Sequence, residues 1–253
     1  MIKSKKLSKF KDIEHSFFNK LGGKSTGIYG SLNCGLGSSD SKKSILQNLK
    51  IVKKKIKANS KKIFLLNQIH SDKFLFINKE SKTNNNNFKG DALITNKLNT
   101  PIGVLTADCA PILIFDSNKK MIAAIHAGWK GAYKEIVKKV LKFMIKKGCS
   151  SNNITAVIGP CISLKNYEVK QDFKKKFIKK DVKIKVFFKK IKNKNYFNLS
   201  KFLNYQLKSL GVKKIEVINK DTFNIKNNFF SARRSKSRNE NDYGRNISVI
   251  MIN

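Results

Sequence analysis

The chain has 253 residues, 40% of them hydrophobic, with 54 Lys and Arg against 16 Asp and Glu and a net charge of +38. That length and apolar fraction exclude global disorder. The longest apolar runs, Pro111–Phe115 and Met121–Ile125, have the length of strands rather than the ~20 residues of a membrane helix.

In chain order, the basic N-terminus is followed by no apolar signal-peptide core, so a cytoplasmic location is expected. Residues 27–37 form a Gly/Ser/Asn-rich loop that holds Asn33, a candidate ligand-binding side chain. A helix is expected over Ser41–Ala58, with Ser41 as N-cap. Short strands at Ile63–Leu66 and Lys73–Ile77 flank a turn carrying His70. Residues 82–87 are a polar low-complexity loop. Strands follow at Ala92–Thr95, Val104–Leu105, Ile112–Phe115 and Met121–Ile125. A helix is expected over Gly131–Lys147, its stripe made by Tyr133, Ile136, Val137, Val140, Leu141 and Met144, with Gly148 just past its end. Further elements are a strand at Ile154–Ile158, helices at Phe173–Ile178 and Phe197–Leu210, and strands at Lys214–Ile218 and Ile247–Ile252. With no repeat and no Pro/Ser-rich linker, residues 1–253 read as one layered α/β domain with mixed β-sheets and flanking helices.

Only four basic residues are arginine: Arg233, Arg234, Arg238 and Arg245. Lysine is spread along the chain beside abundant Asn, Ile and Phe, a mix expected of A/T-rich codons. A nucleic-acid-binding stripe is more often clustered, arginine-containing and interleaved with aromatics. No specific nucleic-acid partner and no membrane partner is therefore expected. Cys34, Cys109, Cys149 and Cys161 are widely spaced without a CxxC pair, as expected of free thiols or metal ligands in a reducing compartment.

The chemistry concentrates between Gly103 and Gly131. If the strands at 112–115 and 121–125 pair antiparallel about a turn centred near 117–118, Cys109 and His126 come near-opposite on one face. Opposed Cβ atoms ~4.5–5.5 Å apart suit shared coordination by a thiolate at ~2.3 Å and an imidazole at ~2.0 Å from zinc. A slip of one residue would separate them. His70 is the third candidate, giving a three-ligand site with an open position. The alternative is a buried Cys109 and a hydrogen-bonded His126 with no metal. Cys161, after Gly-Pro, is a second candidate nucleophile, as in a Cys–His hydrolase.

The motifs Ser-Thr-Gly-Ile-Tyr-Gly-Ser-Leu-Asn-Cys-Gly-Leu-Gly (25–37), Asn-Gln-Ile-His-Ser-Asp (67–72), Gly-Asp-Ala-Leu-Ile-Thr (90–95), Leu-Thr-Ala-Asp-Cys-Ala-Pro-Ile (105–112), Ala-Ile-His-Ala-Gly-Trp-Lys-Gly (124–131), Ile-Gly-Pro-Cys-Ile (158–162), Tyr-Glu-Val (167–169) and Phe-Phe-Ser-Ala-Arg-Arg (229–234) occur in an order that resembles the bacterial laccase-domain, or YfiH-like, family. The chain departs from that family's usual pattern at Ala110, Lys130 and Ala232 without losing a ligand. The resemblance implies a YfiH-like fold and metal ligands His70, Cys109 and His126. It also implies phosphorolysis of adenosine, inosine, guanosine and 5′-methylthioadenosine, with deamination of adenosine.

On that reading zinc is the expected cofactor, with copper as the alternative, and the partners are purine nucleosides and phosphate, bound by a monomer or homodimer. Glu168 is the candidate acid/base, and Asp108 a supporting neighbour of Cys109. Lys130 at a helix start, Arg233, Arg234 and Arg245 are the candidate phosphate ligands. A copper-dependent phenol oxidase and a noncatalytic basic binding protein are the competing functions.

Overall fold

A computed structural model describes residues 1–60, 62–78 and 88–253. The expected polar loop at 82–87 lies outside the described residues. Twelve strands are described: β1 (Ile13–Phe17), β2 (Phe74–Ile77), β3 (Ala92–Thr95), β4 (Ile102–Thr106), β5 (Ala110–Asp116), β6 (Met121–Ala127), β7 (Ile154–Ile158), β8 (Glu168–Val169), β9 (Phe188–Ile191), β10 (Lys194–Phe197), β11 (Lys214–Val217) and β12 (Asn246–Ile252). The α-helices are α1 (Lys42–Lys55), α2 (Trp129–Tyr133), α3 (Ile136–Lys146), α4 (Gln171–Lys180), α5 (Leu199–Ser209) and α6 (Ala232–Ser237).

A six-stranded sheet in the order β11-β7-β5-β6-β3-β2 is parallel at its two edge pairs and antiparallel between. Every residue of β5 and β6 is buried, because both faces are covered. Alternate side chains make the two contacts. Ile112, Ile114, Ala123 and Ile125 pack under Val137, Val140 and Leu141 of α3 and Leu203 and Leu207 of α5. Leu113, Phe115, Ile122 and Ala124 face Ile102, Val104, Ile250 and Ile252 of a second, antiparallel sheet ordered β1-β12-β4. The far side of that sheet, Ile247, Val249 and Met251, packs on Val52 and Ile56 of α1. The layers are therefore helix, sheet, sheet, helix. A small sheet, β8-β10-β9, joins α4 through Phe173, Phe177, Phe188 and Phe197.

Local chemistry sets the ends of these elements. Ser41 caps α1 through Ser44 N, and Asn198 caps α5 by accepting from Lys201 N at 3.0 Å. Asp116 closes the β5–β6 turn by accepting from Asn118 N at 3.0 Å and Lys119 N at 2.8 Å. Gly148 takes a left-handed φ of +91° just past α3.

Four expectations are corrected. Residues 63–66 form no strand: Phe64 makes one isolated bridge to Ile102, and the segment then runs into the His70 loop. The helix expected at 131–147 starts earlier, at Trp129, and breaks at Glu135, whose φ of +61° divides α2 from α3. Phe197 belongs to β10, so the helix expected from it begins at Leu199. The β5–β6 hairpin pairs Ala110 with Ala127 and Pro111 with His126, two residues from the expected register, because its turn occupies residues 117–120. A shift of two preserves the face, so Cys109 and His126 still point the same way.

Candidate metal centre

The centre lies where β5 begins and β6 ends. His126 is the penultimate residue of β6, on the face of Ile122 and Ala124 toward the second sheet. Cys109 immediately precedes β5, and His70 comes from the loop before β2. Their donor atoms all lie within 4.8 Å of one another. Cys109 Sγ is 3.8 Å from His70 Nε2. The two imidazoles meet edge to face, 4.8 Å between centroids at 78°.

Asp91, directly before β3, organises the histidine side. Its fully buried carboxylate meets His126 Nδ1 at 2.8 Å and accepts from His70 N at 2.9 Å, from Ser71 N at 2.5 Å and from Ser71 Oγ at 2.6 Å. Bonding of Nδ1 to Asp91 leaves Nε2 as the free nitrogen of His126, the arrangement usual for a metal-bound histidine. The same contacts hold His70 at a left-handed φ of +55°.

Asp108 organises the cysteine side. At a φ of +84°, its buried carboxylate accepts from Thr222 Oγ1 at 2.6 Å, Ser231 Oγ at 2.9 Å and Arg233 N at 2.7 Å.

Electrostatics favour a thiolate. Burial raises the Cys109 thiol, but His126 and then His70 outweigh it and bring it below its usual value. Burial lowers His126, yet Cys109 and Asp91 raise it above the usual histidine range. The thiolate is the form that binds a metal. One soft thiolate and two imidazoles fit a borderline ion such as zinc or copper. Among the described residues this is one group of three so placed, and it contains the three residues that sequence chemistry singles out.

Two clefts meet at Ala107 and Cys109. One, of about 640 Å³, is walled by Trp129, Tyr167 and Phe173 and carries Asp108, Glu168, Lys176, Arg233 and Lys236. The other, of about 550 Å³, contains His70 and His126 and is lined by Gln68, Tyr243 and Arg245.

The remaining candidates divide between these clefts and the scaffold. Arg233 lines the first cleft, its guanidinium donating to Glu168 O at 3.1 Å and lying 5.6 Å from the Tyr167 ring. Glu168 lines the same cleft, and its carboxylate pairs at 3.0 Å with Lys194, which belongs to a neighbouring pocket. Arg245 lines the second, stacked 4.3 Å from Tyr243 and bonded to Asp242 at 2.9 Å.

Others lie outside. Arg234 donates to the carbonyls of Thr222, Phe223 and Phe229, a scaffold role. Asn33 is fully buried, and its amide is used on Ser38, Asp40, Gly35 N and Arg245 N, so it has no edge to offer a sugar or base. Lys130 is exposed on α2, which has only five residues, and lines neither cleft. Burial, with Asp108 and Asp221 adding to it, pushes the Cys161 thiol up to about 12, the reverse of an activated nucleophile. Sequence reasoning missed the role of Asp91, Trp129 and Tyr167. The signal for Asp91 was a lone carboxylate at the mouth of an apolar strand.

The His–Cys–His cluster sits in a layered α/β protein whose mixed sheet stacks on an antiparallel one. The family model described as multi-copper polyphenol oxidoreductase laccase matches residues 14–253, and the chain belongs to that family. It is 34% identical over 227 residues to a purine nucleoside phosphorylase of Rickettsia prowazekii (strain Madrid E), covering 89% of this chain and 90% of that one. It is 32% identical to a purine nucleoside phosphorylase of Haemophilus influenzae, covering 95% and 94%. A solved Bacillus licheniformis structure, described as hypothetical protein YfiH, superposes with a TM-score of 0.87 at 26% identity, over 95% of this chain and 93% of that one. A solved Neisseria meningitidis protein gives 0.84 at 27%, over 96% and 95%.

Proposed function

We propose that the chain is a purine nucleoside phosphorylase that also deaminates adenosine, with zinc held by His70, Cys109 and His126. The observation that carries this reading is the position of the cluster at the meeting of an aromatic, cationic cleft and a polar one. Relatives named purine nucleoside phosphorylase support it.

Phosphorolysis breaks the bond between ribose C1′ and the purine, joins a phosphate oxygen to C1′, and returns a proton to the departing base. The Trp129, Tyr167 and Phe173 rings offer faces on which a purine stacks. Arg233, Lys176 and Lys236 in the same cleft provide positive charge for phosphate. Glu168, which lines this cleft beside Asp108 and Asp172 and whose carboxylate pairs with Lys194, is the candidate to give or take a proton. Adenosine, inosine, guanosine and 5′-methylthioadenosine share the purine and ribose these groups would recognise.

Deamination replaces the amino group at C6 with oxygen from water and releases ammonia. Zinc, when bound, supplies a Lewis acid and lowers the pKa of water toward ~7. Asp91 holds the His126 ring for that ion, and Asp108 fixes the turn that presents Cys109. The same donor set suits copper, so the metal is part of the test.

Purified protein is incubated with adenosine and phosphate, and its metal is assayed. Adenine, ribose 1-phosphate and inosine are expected, all lost in Cys109→Ala and His126→Ala. Bound copper with dye oxidation and no nucleoside turnover would instead establish an oxidase. Zinc-loaded protein with no turnover and salt-sensitive RNA binding would establish a basic binding protein.

A further inference from the structure

We infer that Gly128 sets the spacing of the metal donors, a positioning role that rests on the metal reading of His70, Cys109 and His126. Gly128 joins β6 to α2, two residues past His126. Its backbone, φ −75° and ψ 175°, is open to any L-residue, so conformation does not require glycine there.

Space does. A Cβ at this position would lie 2.7 Å from Cys109 Sγ, 3.7 Å from Cys109 Cβ and 3.1 Å from His70 Cδ2. Comfortable contact between such atoms is ~3.5–4.0 Å. The closest of the three is itself a donor. Cδ2 is bonded to Nε2, the His70 nitrogen that faces Sγ across 3.8 Å. The volume of the missing methyl is therefore the volume into which two donors close, a use of glycine for close approach rather than for an unusual dihedral.

The backbone has little room to yield. Ala127 is paired with Ala110 across the hairpin, and Gly128 O accepts from Ala132 N at 2.9 Å. Added bulk must be relieved by the side chains. Cys109 turns about its Cα–Cβ bond, or His70 withdraws on its exposed loop. Either movement opens a cluster whose donors otherwise lie within 4.8 Å.

The test is Gly128→Ala, read by zinc affinity against a chromophoric chelator and by the thiolate-to-cobalt charge-transfer band after Co²⁺ substitution. The variant is expected to fold, to bind zinc about 10- to 100-fold more weakly, and to show a weakened band. In a Cys109→Ala background the contact with Sγ is gone and only the one with His70 Cδ2 at 3.1 Å remains, so Gly128→Ala should cost much less zinc affinity there than in the wild type, a non-additive pair. Wild-type affinity with a full band in Gly128→Ala would overturn the inference, as would additive losses in the double variant. If Gly128→Ala does not fold, recovery of folding in the double variant supports the proposed contact and its absence overturns it. A wild-type protein that binds neither zinc nor cobalt overturns the metal reading and this inference together.

Discussion

Asp91→Asn tests how the histidine side of the centre is built. The carboxylate works as two separate acceptors. Oδ1 meets His126 Nδ1 and His70 N, whereas Oδ2 meets Ser71 N and Ser71 Oγ. Asparagine keeps the volume but has one oxygen. If that oxygen takes the Ser71 side, the amide NH₂ confronts His70 N–H and turns His126 to the tautomer whose Nε2 carries a proton and cannot ligate. If it takes the other side, NH₂ confronts Ser71 N–H.

Each arrangement leaves one backbone donor unmatched, at about 1–3 kcal/mol, and weakens the charge-assisted bonds that survive. The expected loss of stability is about 2–4 kcal/mol. Zinc affinity should fall about 10- to 100-fold through loss of orientation. Urea unfolding of chelator-treated protein reads the first quantity and zinc competition the second. Wild-type values for both would refute the account of Asp91. Lost stability with undiminished zinc affinity would refute the orienting role alone.

Other predictions follow from groups beyond the cluster. Burial, then Lys3, lowers His15 from 6.5 to about 4, where it accepts from Ser4 N at 2.9 Å. A depressed folded pKa means that the unfolded chain binds the proton first. His15 therefore contributes full stability above pH 6.5 and loses about 3 kcal/mol as pH falls toward 4. Urea unfolding at pH 7.5 and 5 should show a smaller acid loss in His15→Gln than in the wild type. Arg233→Met should raise the KM for phosphate about 10-fold or more, the worth of a charge-assisted bond, in initial-rate assays. Arg234→Lys should cost about 2–4 kcal/mol in denaturant unfolding while leaving that KM unchanged, because its guanidinium holds three carbonyls outside the cleft. Lys130→Ala should change stability by less than about 0.5 kcal/mol and leave turnover intact, since Lys130 lines neither cleft.

What the sequence discloses is what local chemistry controls. The β5–β6 hairpin is readable because two apolar runs flank a turn whose Asp116 bonds its own loop. The donors are readable because Cys and His are scarce and flank such turns. Register is less readable: a turn centred one residue later than expected moves the pairing by two, and only the even size of the shift keeps Cys109 and His126 on one face. The break at Glu135 is hidden because the apolar pattern runs through it, and the left-handed residue is not a glycine. Strands β8, β9 and β10 are short and polar or lysine-rich, and they acquire an apolar face only by packing around Phe173 and Phe177. Asp91 is 35 residues from His126, and adjacent strands alone bring them together.

The same contacts explain why scarce acids sit where they do. Against 54 basic residues the chain has 16 acidic ones, most of which could screen surface lysines. Asp91 and Asp108 instead lie buried beside the donors, each satisfied by N–H and O–H groups rather than by a lysine. Each also neighbours a left-handed residue of the centre, His70 at φ +55° and Asp108 itself at φ +84°. Such conformations cost on the order of 1–3 kcal/mol and persist only where surrounding bonds fix them. Asp91 supplies those bonds to His70, and Asp108 ties the Cys109 turn to Thr222 and the start of α6. The centre is thus fixed from two sides by segments distant in sequence. Removing either carboxylate should relax its own side of the centre while leaving the other side in place, so Asp91→Asn should weaken coordination by the two histidines without abolishing the cobalt–thiolate band. Loss of the whole band in Asp91→Asn would show instead that the two halves of the centre form one cooperative unit.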